Sequence, residues 1–182
     1  HINTQRNPEV VISEIEKRLA QRMKKYNEVK FDTPRDKTDV FISYSRTDSE
    51  KAEELYNALI NKGLNVWYDK KNLAAGDKWL AKIKSAITTT KYCIILLSNS
   101  MRAQIHESHV YRKEWNMAIE HANGMATNRG FIVPILLDDI NIYDETLGIP
   151  EKLKNANAKS IAESSVDDIA QYMLNRVNDL AK

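Results

Sequence analysis

Residues 92–97 read Tyr-Cys-Ile-Ile-Leu-Leu, an unbroken apolar run bounded by Lys91 on one side and Ser98-Asn99-Ser100 on the other. A strand with one wet face would alternate polar with apolar residues. This one does not alternate, so it belongs inside a sheet covered on both faces, the situation of a parallel sheet with crossover helices. The same reading excludes a membrane span. The longest apolar runs, Cys93–Leu97 and Phe131–Leu137, fall far short of the roughly 20 residues a bilayer helix needs. No signal peptide is expected either.

Working outward from that strand, short apolar runs alternate with helical stripes. Val40–Tyr44 is expected as a strand, Ser45–Ser49 as a polar turn, and Ala52, Leu55, Tyr56, Leu59 and Ile60 as a helix stripe that Gly63 terminates. A strand at Leu64–Tyr68, a loop over Asp69–Lys78 and a helix carrying Trp79, Leu80, Ile83, Ala86 and Ile87 follow. Beyond the central strand come a helix from about Ser108 to Ala122, a strand at Phe131–Leu137, a short strand near Ala158–Ala162 and a last helix with Val166, Ile169, Ala170, Met173, Leu174 and Val177. Pro134 must sit where no ladder hydrogen bond is donated. The alternation implies an α/β fold: a flavodoxin-like five-stranded parallel sheet of order 2-1-3-4-5 with helices on both faces. Ligands of such sheets bind outside the carboxyl ends of the strands at the switch point, here the loops after Tyr44 and Leu97.

Ahead of this pattern, residues 8–30 read as a separate amphipathic helix, capped at Asn7 and Pro8, with a stripe of Val11, Ile15, Leu19, Met23 and Tyr26. The expected organisation is residues 1–37 as helix and linker and 38–182 as the domain. The chain begins at His1 rather than Met, as a fragment or processed product would. The N-terminal helix then serves either to dock on the domain or to connect it to an upstream domain or partner.

Composition narrows the function. With 42% hydrophobic and 29% charged residues, the 182-residue chain excludes a disordered class. Its single cysteine, Cys93, allows no internal disulfide and no thiolate zinc cage, so the cytoplasm is the expected compartment. Net charge is +2, and residues 37–182 hold equal numbers of acidic and basic side chains. No basic block suited to a nucleic-acid backbone is present.

Other occupants of this fold leave signatures that are missing here. A phosphoacceptor receiver needs carboxylates at the first and third strand ends, which read Ser43-Tyr44-Ser45 and Ser98-Asn99-Ser100. A phosphate cradle needs glycine after the first strand, and Ser45–Ser49 has none. Thr47–Glu50 instead fits a capping box. His106 and His109 lack the spacing and third ligand of a helical zinc site, so no metal is expected. Cys93 reads as a buried, inert thiol, and His121 as a core or surface histidine. The anomaly is Glu114, which with Val110 and Ala118 occupies the otherwise apolar face of the third helix. Glutamate is rarely buried without a partner. Two readings stay open: an ion pair at the helix edge, or a catalytic carboxylate aimed at the strand ends.

Several segments together resemble the Toll/interleukin-1 receptor (TIR) domain, in its prokaryotic, NAD-cleaving branch. They are Asp39-Val-Phe-Ile-Ser-Tyr-Ser45 with Arg46; Leu64-Asn-Val-Trp-Tyr-Asp69 leading into Leu73-Ala-Ala-Gly76-Asp-Lys-Trp79; Cys93-Ile-Ile-Leu-Leu-Ser98; Tyr111-Arg-Lys-Glu114-Trp115; and Phe131-Ile-Val-Pro-Ile135. The resemblance covers about residues 38–180 and not the first helix. It implies that Glu114 is the catalytic glutamate and that Tyr44, Ser45, Arg46, Gly76, Trp79 and Tyr111 border the substrate cleft. NAD+ is then a substrate and no cofactor is needed. Activity is implied in self-assembled domains joined through TIR–TIR contacts, in a prokaryotic immune response. The enzymes often carry tryptophan four residues before the glutamate; this chain has Val110 there, with Tyr111 next to it. The family also contains non-catalytic interaction modules that signal or subvert signalling, the alternative reading. Hydrolysis to ADP-ribose and cyclisation to an isomer are both compatible with the pattern.

Overall fold

The computed structural model describes residues 38–68, 77–103, 110–125 and 129–180. The N-terminal helix expected over residues 8–30 lies outside these residues, as do His106, His109 and Gly76.

Five strands, β1 (Val40–Ser43), β2 (Val66–Trp67), β3 (Tyr92–Leu97), β4 (Ile132–Leu136) and β5 (Lys159–Ser160), form one sheet in the order β2-β1-β3-β4-β5. All four pairings are parallel. This is the expected 2-1-3-4-5 topology. The helices are α1 (Ser49–Asn61), α2 (Asp77–Thr89), α3 (Val110–Asn123), the single turn α4 (Glu151–Lys154) and α5 (Val166–Asp179). None of the described helices is long and apolar enough to cross a membrane.

Strand alternation sorts the core into two layers. Val40, Ile42, Tyr92, Ile94, Leu96, Val133 and Ile135 face α1 and α5, meeting Ala52, Leu55, Leu59, Ile169 and Met173. Phe41, Cys93, Ile95, Leu97 and Ile132 face the other way, meeting Ile83 and Ile87 of α2 and Tyr111, Trp115 and Ala118 of α3. All six residues of β3 are buried, as its unbroken apolar run requires.

Local chemistry sets the element ends. Gly63 closes α1 with φ +87°, and the amide of Leu64 reaches the carbonyl of Leu59 at 3.1 Å across the turn. Pro134 pairs with Ile95 in the middle of the sheet. The amide of Leu137 faces β3 and the carbonyl of Leu136 faces β5, so by alternation the nitrogen of Pro134 points to the β5 side. Pairing with β5 starts only at Ile135, so the missing N–H interrupts no ladder. At the edges, β2 and β5 are two residues long, shorter than the apolar runs suggested. The backbone before β2 is held by the Asn65 carbonyl, which accepts from the amides of Asp39 (2.8 Å) and Val40 (3.1 Å), and by the Asn65 amide, which donates to Asp39 Oδ2 at 2.9 Å.

The capping box expected at Thr47–Glu50 does not form. Arg46–Asp48 is a 3-10 turn, the N-cap of α1 is Asp48 without a side-chain capping bond, and the Thr47 hydroxyl lies 2.9 Å from that of Ser45 and 2.8 Å from that of Ser100. Because α1 starts at Ser49, the N-cap position falls to Asp48 and not to Thr47. The capping box occurs at α5, where Ser165 and Asp168 exchange side-chain and backbone bonds of 3.1 Å.

Candidate active site at the carboxyl edge of the sheet

Ser43 is the last residue of β1 and points to the same side as Phe41, toward α3. Following β3, α3 runs back against the strands, so its first turns lie at their carboxyl ends. Glu114 comes from the second of these turns. Ser43 Oγ donates to Glu114 Oε2 at 2.5 Å, with Ser43 wholly buried and Glu114 only 8% exposed. A carboxylate so far from water needs donors, and a hydroxyl from the neighbouring strand supplies one. Glu114 is therefore inside the domain on the sheet-facing side of α3.

The surroundings of that carboxylate come from the same helix and from the two loops at the switch point. Tyr111 is buried, its ring tilted against Trp115 at 5.2 Å between centroids. Arg112 lies 5.4 Å from the centroid of each ring and donates to the carbonyls of Gly148 (2.9 Å) and Leu147 (3.0 Å), tying the segment after β4 to α3. Burial pushes the Tyr111 phenol up; Arg112 opposes this, and the charge of Asp48 adds to it, so the phenol sits within the field of the loop after β1.

Asp48 anchors a hydroxyl network across the switch point. Ser98 Oγ donates to its Oδ2 at 2.7 Å, Ser100 Oγ lies 3.1 and 3.2 Å from its two oxygens, and Ser98 and Ser100 are 2.7 Å apart. Thr47 joins Ser100 to the buried Ser45, so hydrogen bonds tie the loop after β1 to the loop after β3. Burial raises the Asp48 carboxyl above its usual range, with the bonds from Ser98 and Ser100 acting against it. Asp138, at the end of β4, accepts from the Asn99 amide at 3.1 Å and extends the network to a third loop.

The residues expected to border the cleft separate into groups. Tyr111 and Glu114 share α3, and Ser45 lies in the loop that carries Asp48. Arg46 is exposed at the start of the 3-10 turn. The Tyr44 ring is on the opposite side of the sheet from Glu114, tilted against Tyr68 at 5.1 Å, with Tyr56 stacked on Tyr68 beyond it. Trp79 falls in the first turn of α2, but its side chain, like Gly76, lies outside the described part. Ser43, Asp48, Ser98 and Ser100 were missed as site residues. Ser43 had a signal: a polar residue on the inward parity of an apolar strand, at its carboxyl end. Cys93 is fully buried, and burial, with the charge of Glu114 second, pushes its thiol well up, consistent with an inert side chain.

Comparison with known proteins accords with this architecture. A 2′ cyclic ADP-D-ribose synthase of Bacteroides thetaiotaomicron is 28% identical over 145 residues, covering 78% of this chain and 47% of that protein. One of Acinetobacter baumannii is 27% identical over 143 residues, covering 76% and 50%. An NAD(+) hydrolase of a Theionarchaea archaeon is 35% identical over 78 residues, covering 42% and 21%. The chain thus spans half or less of the length of these curated relatives. Among solved structures, the TIR domain of a Toll-related receptor from Hydra magnipapillata superposes with a TM-score of 0.55 at 18% identity, covering 76% of this chain and 96% of that one. The TIR domains of the activated Roq1 resistosome give 0.53 at 18% identity, covering 80% and 99%. At such identities these two likenesses show the fold. The family model described as TIR domain matches residues 40–171, nearly all of the sheet and its helices, and the chain belongs to the TIR domain family.

Proposed function

We propose that the domain cleaves the bond between nicotinamide and ribose in NAD+, with Glu114 as the catalytic residue. The observation that carries this is a buried carboxylate at the carboxyl edge of a parallel sheet, bound by Ser43 at 2.5 Å. The relatives named as NAD(+) hydrolase and cyclic ADP-ribose synthases support the substrate.

The chemistry needs little machinery. Nicotinamide is attached as a cationic pyridinium and leaves neutral, taking the electrons of the C1′–N bond, so no acid has to protonate it. Positive charge develops on the ribose, and an ionised Glu114 in a water-poor site stabilises that charge more than bulk water would. Ordinary glycosidases need a second carboxyl for a poorer leaving group. Attack of water on C1′ gives ADP-ribose and a proton; attack by another hydroxyl of the same molecule gives a cyclic isomer and a proton. The exposed Arg46 supplies a cation for a diphosphate oxygen, and Tyr111 an aromatic wall in place of the tryptophan replaced by Val110. Activity arises in self-associated domains, driven by an upstream domain or partner.

The test is nicotinamide release from NAD+ by concentrated or artificially clustered protein. Wild type should turn over and Glu114→Gln should lose about 100-fold or more, the scale of removing one electrostatic stabiliser. An inactive clustered wild type, or a variant equal to it, overturns the reading in favour of a TIR–TIR interaction module.

A further inference from the structure

At the amino end of β4, the edge of the sheet opposite the Ser43–Glu114 pair, lies a hollow of about 470 Å³ lined by Arg129, Phe131, Lys152, Asn155, Asn157 and Arg176, among others. None of its lining residues is Asp or Glu. Arg176 donates from Nη2 to the carbonyls of Arg129 (2.7 Å) and Gly130 (3.0 Å) and from Nη1 to the Tyr172 hydroxyl (2.9 Å). Arg129 donates to the carbonyl of Lys91 at 3.1 Å, while its Nε is buried without an acceptor. Both guanidiniums lie over the one ring of Tyr92, at 4.5 and 6.0 Å from its centroid.

Neutral groups hold both guanidiniums, carbonyls and the Tyr172 hydroxyl for Arg176 and the Lys91 carbonyl for Arg129, and among the described residues no carboxylate pairs with either. Arg129, Lys152 and Arg176 take no part in the ion pairs Lys62–Asp167, Lys91–Asp39, Arg102–Asp144 and Lys154–Glu151. The acid beside Lys152 in the chain, Glu151, is bound to Lys154 at 2.6 Å. Burial, and second the charge of Arg129, depress the neighbouring His121. Like charges gathered around a concave surface repel one another, and a concave wall focuses their potential.

We infer that this hollow is a second binding site, selecting the phosphate or diphosphate group of a small molecule. The guanidinium charges, with the N–H donors not bound to the protein, suit an oxyanion; Lys152 adds an adjustable charge, and Asn155 and Asn157 add carboxamide donors. The volume is in the range of small-molecule sites, about 300–1,000 Å³. A polymeric phosphate would need basic residues spread over a wider surface than these three. The inference stands apart from the activity proposed for Glu114.

Inorganic phosphate, pyrophosphate and ADP-ribose, titrated separately into the 182-residue chain at constant ionic strength, separate inorganic from nucleotide sources. Calorimetry should show saturable binding of pyrophosphate, tighter than phosphate, and the ligand should raise the thermal midpoint. Lys152→Glu, at an exposed position, should weaken binding about tenfold or more, whereas Glu114→Gln should leave it unchanged. ADP-ribose binding that is lost in Lys152→Glu supports a nucleotide ligand for the hollow. The inference is overturned if none of the three ligands saturates, if Lys152→Glu binds like wild type, or if Glu114→Gln abolishes the binding.

Discussion

Ser43→Ala removes one hydroxyl and nothing else, and that hydroxyl is the donor to Glu114 Oε2. A hydrogen bond to a charged group is worth about 1.5–3 kcal/mol, and its loss inside the protein is not repaid by water. At that value Ser43→Ala should lower the thermal midpoint by roughly 5 °C, given about 2–4 °C per kcal/mol for a domain of this size. If the bond also fixes the carboxylate for catalysis, nicotinamide release should fall about 10–100-fold, mainly in kcat, because 1.36 kcal/mol is a factor of ten. Ser43→Thr, which keeps the hydroxyl, should restore part of both. The decisive measurement is a double-mutant cycle with Glu114→Gln, by urea unfolding. A neutral amide accepts a weaker bond, about 0.5–1.5 kcal/mol, so removing the hydroxyl should cost about 1 kcal/mol less in the Gln background. Glu114→Gln alone should leave stability unchanged or raised, since it relieves a buried charge. Additivity of the two substitutions to within about 0.3–0.5 kcal/mol would refute the coupling and, with it, Ser43 as a positioning residue.

Three further outcomes are expected. Burial raises the Asp48 carboxyl above the usual aspartate value of 3.8, so on acidification the folded state takes up a proton before the unfolded chain does. Its contribution to stability therefore grows as pH falls through the raised value toward 3.8 and is lost as pH rises; urea midpoints at neutral and mildly acidic pH should show a gain that Asp48→Asn lacks, and an identical pH slope in the variant would contradict this. Gly63→Ala and Gly148→Ala both place a side chain at positive φ, +87° and +57°, costing about 1–2 kcal/mol. Gly148→Ala should be the worse, because its Cβ would meet Arg112 Nη1 at 3.0 Å whereas at Gly63 nothing lies within 4 Å; equal chemical-unfolding midpoints would speak against that contact. Cys93 should resist iodoacetamide until the domain unfolds, and rapid labelling of native protein, read by mass, would show that the thiol is neither buried nor raised.

How much of the site was legible follows from which signals are local. The helix period flagged Glu114 as a carboxylate on an apolar face but left open what it met, because its partner is 71 residues away on β1. Strand parity placed Tyr44 opposite Ser43, yet the motif grouped Tyr44 with the cleft; the structure stacks its ring among Tyr68 and Tyr56 beneath α1. The capping box expected at Thr47 is displaced because the 3-10 turn Arg46–Asp48 moves the N-cap of α1 one residue on, to Asp48.

By itself the sequence determined the alternation of strands and helices, the central place of Tyr92–Leu97, the stop at Gly63 and the odd position of Glu114. These rest on periodicity and backbone sterics, which act over a few residues. Only the tertiary structure decided that Ser43 holds Glu114, that Asp48 joins Ser98 and Ser100 across the switch point, and that Arg129 and Arg176 share the ring of Tyr92. Those contacts depend on the register of a parallel sheet, in which every neighbouring pair is separated by a whole crossover and no local pattern records who will meet.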